Sequence, residues 1–154
     1  MGKDEEKIGL IQYIKSSSST SNLLTRTLAN VSRSSNPTLE DLNLAKEILR
    51  RKSLVGIYEN LDRSLQLFNN FFQWNFTNVD DLGNIDQCVS NIQYQEEDKK
   101  YLIYKRIEDR GYDLGIESEL YKLIAKKNEF DMYLYWYAFD LHVAQLRMIE
   151  SGLS

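Results

Sequence analysis

The strongest constraint on the fold is a helical repeat of apolar residues near the C-terminus. Large or apolar side chains recur there at three- and four-residue spacing, at Phe130, Leu134, Tyr137, Leu141, Ala144 and Met148. This spacing places them on one face of an α-helix. Asn128 is a candidate N-cap, and Asp131 supplies a carboxylate to the first turn. The pattern predicts a helix of about five turns over residues 129–149.

Shorter apolar repeats predict further helices at 4–15, 22–31, 38–52, 61–72 and 116–126. Thr38 is the candidate N-cap of the third of these, and Asp41 lies in its first turn. Two runs have β character. Residues 54–58 are apolar at both parities, which predicts a buried strand, and a second short strand (YLIY) is predicted within 99–106. Residues 73–91 are predicted to form a long loop.

Charge and rare residues exclude several classes of function. The net charge is −4, so a broad nucleic-acid footprint is not expected, although small basic sites remain open. Cys88 is the single cysteine and His142 the single histidine. These counts exclude an intrachain disulfide and any zinc site built from several cysteines or histidines. We therefore predict no metal site and no nucleic-acid partner.

The sequence predicts no membrane-spanning segment, because no stretch approaches about 20 consecutive apolar residues. The apolar run at residues 8–11 is too short and interrupted for a signal peptide. Read as given, the chain is predicted to be cytoplasmic. Ser16–Thr20 is low in complexity and is predicted to link an N-terminal helical region, 1–21, to a main region, 22–150.

Three segments resemble, in order, the C-terminal half of Golgi-type carbohydrate sulfotransferases. They are NLLTRTLAN (22–30), LAKEILRRKSLVGIYENLDRSLQLF (44–68) and NEFDMYLYWYAFDLHVAQL (128–146). The shared pattern is N-x-x-T-R in the first, V-G-x-x-E with a later Ser in the second, and N-x-x-D with a later Gln in the third. The resemblance covers roughly 22–146, with a poor match over 76–116.

The resemblance implies an α/β, P-loop-like fold that is mostly helical here, with few short strands and a long C-terminal helix. It also implies transfer of a sulfuryl group from 3′-phosphoadenosine 5′-phosphosulfate to a carbohydrate hydroxyl in the Golgi lumen. Both donor-binding motifs of that family are missing, because this chain has neither a glycine-rich loop after a strand nor an Arg-Asp-Pro stretch. We therefore expect donor binding by this chain to be weak or absent, and we expect this chain alone to be inactive.

The resemblance also assigns residues to roles. The substrate-binding candidates are Asn22, Thr25 and Arg26, the catalytic candidate is Glu59, and the candidates for the donor's 3′-phosphate are Lys105, Arg106 and Arg110. Each has a structural alternative. Asn22 and Thr25 would then be cap and helix-surface residues and Arg26 part of an ion pair, while the acidic neighbours of the basic stretch favour a solvated loop. A capping role shared with Asn60 is the favoured interpretation for Glu59, and a surface or half-buried position is favoured for His142.

A competing hypothesis from another class is a non-catalytic helical interaction module. A protein partner would then dock on the last helix, whose aromatic residues are Tyr133, Tyr135, Trp136, Tyr137 and Phe139. Residues 54–58 discriminate between the two hypotheses. The sulfotransferase resemblance requires them to pair in a parallel sheet, whereas a helical module does not.

Overall fold

A computed structural model describes residues 3–16, 20–74 and 115–152, together with isolated positions between 87 and 113. Six helices are bounded there: α1 (Lys3–Lys15), α2 (Leu23–Ala29), α3 (Leu39–Lys52), α4 (Leu61–Phe72), α5 (Glu119–Lys127) and α6 (Glu129–Glu150). A 3₁₀ turn, Tyr58–Asn60, precedes α4. The chain divides into two compact units: Met1–Ser21 with Leu82–Asn128, and Asn22–Asp81 with Glu129–Ser154.

The predicted α/β fold class is wrong: within the described ranges the chain is all-α and contains no strand. Residues 54–57 are outside any helix, and the backbones of Ser53 and Ile57 are extended, but no strand in the described part of the chain pairs with them. The second predicted strand is also contradicted where it is described, because 99–102 and Lys105 are helical. Short apolar runs of this kind fit a strand and a buried helix equally well, so periodicity could not separate them.

The first unit contains α1 and α5, with Ile14 and Leu120 buried. The Lys127 ammonium, at the end of α5, donates hydrogen bonds to the carbonyl oxygens of Ile14 and Ser16. Carbonyls at a helix C-terminus lack intrahelical partners, and a cation there is favourable. Lys127 therefore ties the end of α1 to α5 by satisfying these groups.

The second unit has a core in which α2, α3 and α6 meet. Leu42, Ala45 and Leu134 are buried together there, and Leu28, Leu49 and Phe130 pack against them. The predicted apolar face of α6 is confirmed in its first half, at Phe130 and Leu134. In the second half, Ala144 and Met148 are exposed and His142 is buried instead. The buried face is therefore not the one that the apolar repeat predicts along the whole helix.

The N-termini of α2 and α6 cap each other. The Asn22 side-chain oxygen accepts hydrogen bonds from the backbone N–H groups of Phe130 and Asp131, at 2.9 and 3.2 Å. In return the Asp131 carboxylate accepts from the N–H groups of Leu24 and Thr25 and from the Thr25 hydroxyl, at 2.8–3.0 Å. First-turn N–H groups lack intrahelical partners, and a carboxylate there also meets the positive end of the helix dipole. This reciprocal cap joins positions more than 100 residues apart in sequence.

The predicted N-cap of α3 is confirmed. Thr38 and Asp41 form a capping box, in which the Thr38 side chain accepts from the Asp41 N–H and the Asp41 carboxylate accepts from the Thr38 N–H. The Thr38 N–H and the Thr38 hydroxyl both donate to the Asp41 carboxylate, and these two hydrogen bonds lower the pKa of Asp41. The prediction that Asn128 caps α6 is wrong. Asn22 accepts from the first-turn N–H groups of α6, and the Asn128 side chain donates instead to the Ile124 carbonyl.

We expect Asp131→Ala to lower the free energy of unfolding by about 2 kcal/mol, because three donors at the start of α2 lose their acceptor. Urea denaturation followed by circular dichroism measures the loss. Asp140→Ala is the control, since Asp140 is exposed on the same helix, and should change stability by no more than about 0.5 kcal/mol. Equal effects of the two substitutions would contradict the reciprocal cap.

Candidate functional site

Residues 53–57 form an extended segment whose backbone is hydrogen-bonded by side chains. The Gln145 amide accepts from the Val55 N–H and donates to the Ser53 carbonyl, both at 3.0 Å. The Ser64 hydroxyl accepts from the Ile57 N–H at 2.8 Å and lies 2.9 Å from the Ile57 carbonyl. Buried backbone groups require partners, and a second strand normally supplies them. Here α4 and α6 supply them, which explains how a buried extended segment exists without a sheet.

His142 forms a further hydrogen bond to the same edge of the segment as Gln145. It is fully buried, and its Nδ1 lies 2.8 Å from the Val55 carbonyl oxygen. A carbonyl oxygen only accepts, so Nδ1 carries the proton. Nε2 is buried and has no hydrogen-bond partner among the described residues. The expected surface or half-buried position of His142 is thus replaced by a structural role in the interior. Gln145 lies three residues further along α6, on the same helix face as His142. This spacing was the feature of the sequence that could have indicated the buried position of His142.

The opposite edge of the segment is open. Within the described residues, no hydrogen bond reaches the backbone N–H or C=O groups of Leu54 and Gly56. Successive residues of an extended chain point these groups to alternate sides, so the pairing of Val55 and Ile57 leaves Leu54 and Gly56 on the other side. Phe68 packs closely over Gly56, because a Cβ there would lie 2.6 Å from the Phe68 ring and would force that ring to move.

A surface groove of about 810 Å³ lies beside this segment. Its walls come from the C-terminal ends of α3, α4 and α6 and from Leu54, and its apolar residues are Leu54, Leu67, Phe71, Phe72, Leu141, Met148 and Ile149. Several of these are large side chains left open to solvent: Phe71 is 60%, Phe72 52% and Met148 55% exposed. Exposed apolar surface of this kind is typical of a binding site.

The groove has a basic rim formed by Arg50, Arg51 and Lys52. Glu47 forms salt bridges with both arginines. Hydrogen bonds from Arg50 lower the pKa of Glu47 to about 2, so its carboxylate is charged at neutral pH. The three cations and one carboxylate leave an excess of two positive charges at the rim. An apolar floor with a positive rim fits a ligand that is both apolar and acidic.

A second exposed surface lies on α6. Trp136 stacks edge-to-face against Tyr135 and Phe139, with ring centroids 5.5 and 6.3 Å apart. Trp136 is 60% exposed and Tyr133 is 52% exposed. The predicted aromatic helix therefore does present aromatic side chains to solvent. Charges of both signs lie beside its aromatic residues, since the Tyr133 hydroxyl donates to the Glu129 carboxylate and Lys46 Nζ lies 5.6 Å from the centre of the Tyr137 ring.

The predicted substrate-binding residues hold helix ends together. Asn22 and Thr25 are buried and form the reciprocal cap with Asp131. Arg26 is 7% exposed, and its guanidinium donates to the backbone carbonyls of Ser32 and Ser35 in the loop after α2. The structure thus brings these three residues together at the start of α2. Their hydrogen bonds stabilise the N-termini of α2 and α6 and the loop after α2.

Glu59, the predicted catalytic residue, is exposed in the 3₁₀ turn. Partial burial raises the pKa of the Tyr135 phenol, and the neighbouring Glu59 carboxylate raises it further by repelling a second negative charge. The capping role that Glu59 was expected to share with Asn60 is not observed for Asn60, which forms no side-chain hydrogen bond to the start of α4.

Lys105, a candidate for binding the donor's 3′-phosphate, lies in the first unit, with Nζ 5.8 Å from the centre of the Tyr101 ring. Arg106 and Arg110 fall outside the described residues.

No protein-family model, curated protein or solved structure matches this chain. Among the described residues, no cluster of His, Cys, Asp and Glu side chains could hold a metal ion. The same part of the chain contains no helix with the length and hydrophobicity to cross a membrane.

We expect Gln145→Leu to lower the free energy of unfolding by about 2–3 kcal/mol, because it leaves the Val55 N–H and the Ser53 carbonyl without partners. Urea denaturation tests this, and hydrogen exchange at the Val55 amide should accelerate. Gln66→Leu is the matched control, since Gln66 lies exposed on α4. If exchange at Val55 stays as slow as in the native chain, Gln145 does not hold the segment.

Proposed function

We propose that the second unit is a non-catalytic binding module whose groove accepts an acidic, amphipathic segment of a partner protein. The observation that supports this function is that the groove combines an apolar floor with an excess of positive charge at one rim. The floor provides favourable free energy by removing apolar surface from water. The rim provides selectivity and faster association, because like-charged partners are repelled and acidic ones attracted.

The hydrogen bonds of the candidate substrate-binding residues support this proposal over an enzyme that binds its substrate through them. Asn22 and Thr25 would have to release the helix N-termini to contact a substrate, and Arg26 would have to release two loop carbonyls. Leaving buried partners of this kind unsatisfied costs about 1–3 kcal/mol each. These side chains therefore stabilise the module, whereas the groove has large apolar side chains open to a ligand.

The test uses two labelled synthetic peptides and fluorescence anisotropy. One peptide alternates Val and Glu and favours an extended chain, and the other places Leu and Glu at helical spacing. We expect at least one to bind, and we expect Met148→Glu to weaken it at least about tenfold by placing a charge in the groove. Met132→Glu is the matched control, because Met132 is exposed on α6 but does not line the groove. Failure of both peptides to bind, or equal weakening by both substitutions, would sink the proposal.

A second candidate function is sulfuryl transfer to a carbohydrate hydroxyl, as the resemblance implies. It is favoured by the fact that the segments carrying the resemblance meet in space. Thr25 of the first segment contacts Asp131 of the third, and Val55 of the second contacts Gln145 of the third. These segments thus form one scaffold. Against this candidate, residues 54–58 do not pair in a parallel sheet within the described ranges, as the resemblance requires. Under this candidate the acceptor is a glycan and the compartment is the Golgi lumen.

Calorimetry with 3′-phosphoadenosine 5′-phosphate tests the second candidate, with ATP as the control nucleotide. Because the donor-binding motifs are missing, we expect no selective binding to this chain. Selective micromolar binding would instead establish a donor site and would favour a transferase over the binding module.

A further inference from the structure

We propose that the acidic partner segment binds as an extended strand that pairs with the open backbone edge at Leu54 and Gly56. This inference rests on the proposed function and adds the conformation in which the partner binds. The edge offers two N–H and two C=O groups without partners among the described residues. Such an edge is a template for an added strand.

The edge is held ready for pairing before any partner arrives. Val55 and Ile57 are buried at 8% and 4% exposure, and their backbone groups are fixed from the other side. Gln145, His142 and Ser64 supply those fixing hydrogen bonds from α6 and α4. A segment already extended loses little conformational entropy when it pairs, so preorganisation favours this mode of binding.

The edge and the groove share Leu54. Its N–H and C=O groups belong to the open edge, and its side chain lines the groove. Side chains of paired strands lie next to each other on the same face of the pair. A strand paired with Leu54 therefore directs alternate side chains toward the groove.

Charge selects the composition of that strand. Arg50, Arg51 and Lys52 immediately precede the segment, and their excess positive charge lies at one end of the edge. A strand in which apolar residues alternate with Glu or Asp meets both requirements, because its apolar side chains enter the groove and its negative charge is attracted by the cations at the end of the edge. A helical partner could fill the groove but has no backbone groups to give to the edge, since its own are bonded internally.

The experiment measures hydrogen exchange at the Leu54 and Gly56 amides with and without the Val–Glu peptide. We expect both amides to become protected on binding, and we expect this peptide to bind at least about tenfold more tightly than the helical Leu–Glu peptide. A Val–Lys peptide of the same length is the charge control and should not bind.

A matched pair of variants separates the contribution of the Leu54 N–H to peptide binding from that of the Leu54 side chain. Leu54→Pro removes the N–H at the edge, and the extended Ser53 before it suits a proline. Leu54→Ala shortens the side chain but keeps the N–H. We expect Leu54→Pro to weaken the Val–Glu peptide at least about tenfold more than Leu54→Ala, with circular dichroism confirming that both variants fold.

The possible failures are distinguishable. Binding that Met148→Glu abolishes, but that leaves the Leu54 and Gly56 amides unprotected, would overturn strand pairing and keep the groove as the site. A preference for the helical peptide would do the same. Absence of binding by either peptide would overturn the proposed function together with this inference.

Discussion

The fold of the second unit depends on side chains of α6 hydrogen-bonding to the backbone of other segments. At its first turn Asp131 holds the start of α2, and Asn22 holds the start of α6 in return. Near its end Gln145 and His142 hold the extended segment. A short extended segment and a seven-residue helix cannot satisfy their own backbone groups. The long helix therefore acts as the template that makes both possible.

This use of polar residues determines what is left for binding. The side chains that the resemblance would assign to substrate are held in the interior or at helix ends, with Arg26 bonded to two loop carbonyls. The open features are of another kind: an apolar groove, a basic rim and an unpaired stretch of backbone. Under the proposed function these features bind a polypeptide, since a peptide supplies apolar side chains, carboxylates and backbone groups together.

Much of the helical structure could be predicted because its signals are local. The bounds of α4 agree with the predicted 61–72, and the α3 cap follows from Thr38 and Asp41 alone. The errors came where a residue's role depends on distant partners. The apolar, β-prone residues 54–58 predict a strand. Residues 54–57 are indeed extended and partly buried, yet the Val55 backbone is hydrogen-bonded by the Gln145 and His142 side chains and not by a second strand. The groove was not predicted, since the ends of three helices form it.

By itself, the sequence determined where the long helix lies, how α3 begins and that the chain is rich in helix, since spacing and capping act over a few residues. Only the tertiary structure decided that His142 is buried, that Asn22 caps a helix more than 100 residues away, and that no sheet forms in the described ranges. The physical reason is that a backbone donor needs an acceptor without specifying its source. A neighbouring strand and the side chains of a packed helix satisfy it equally well, and packing chooses between them.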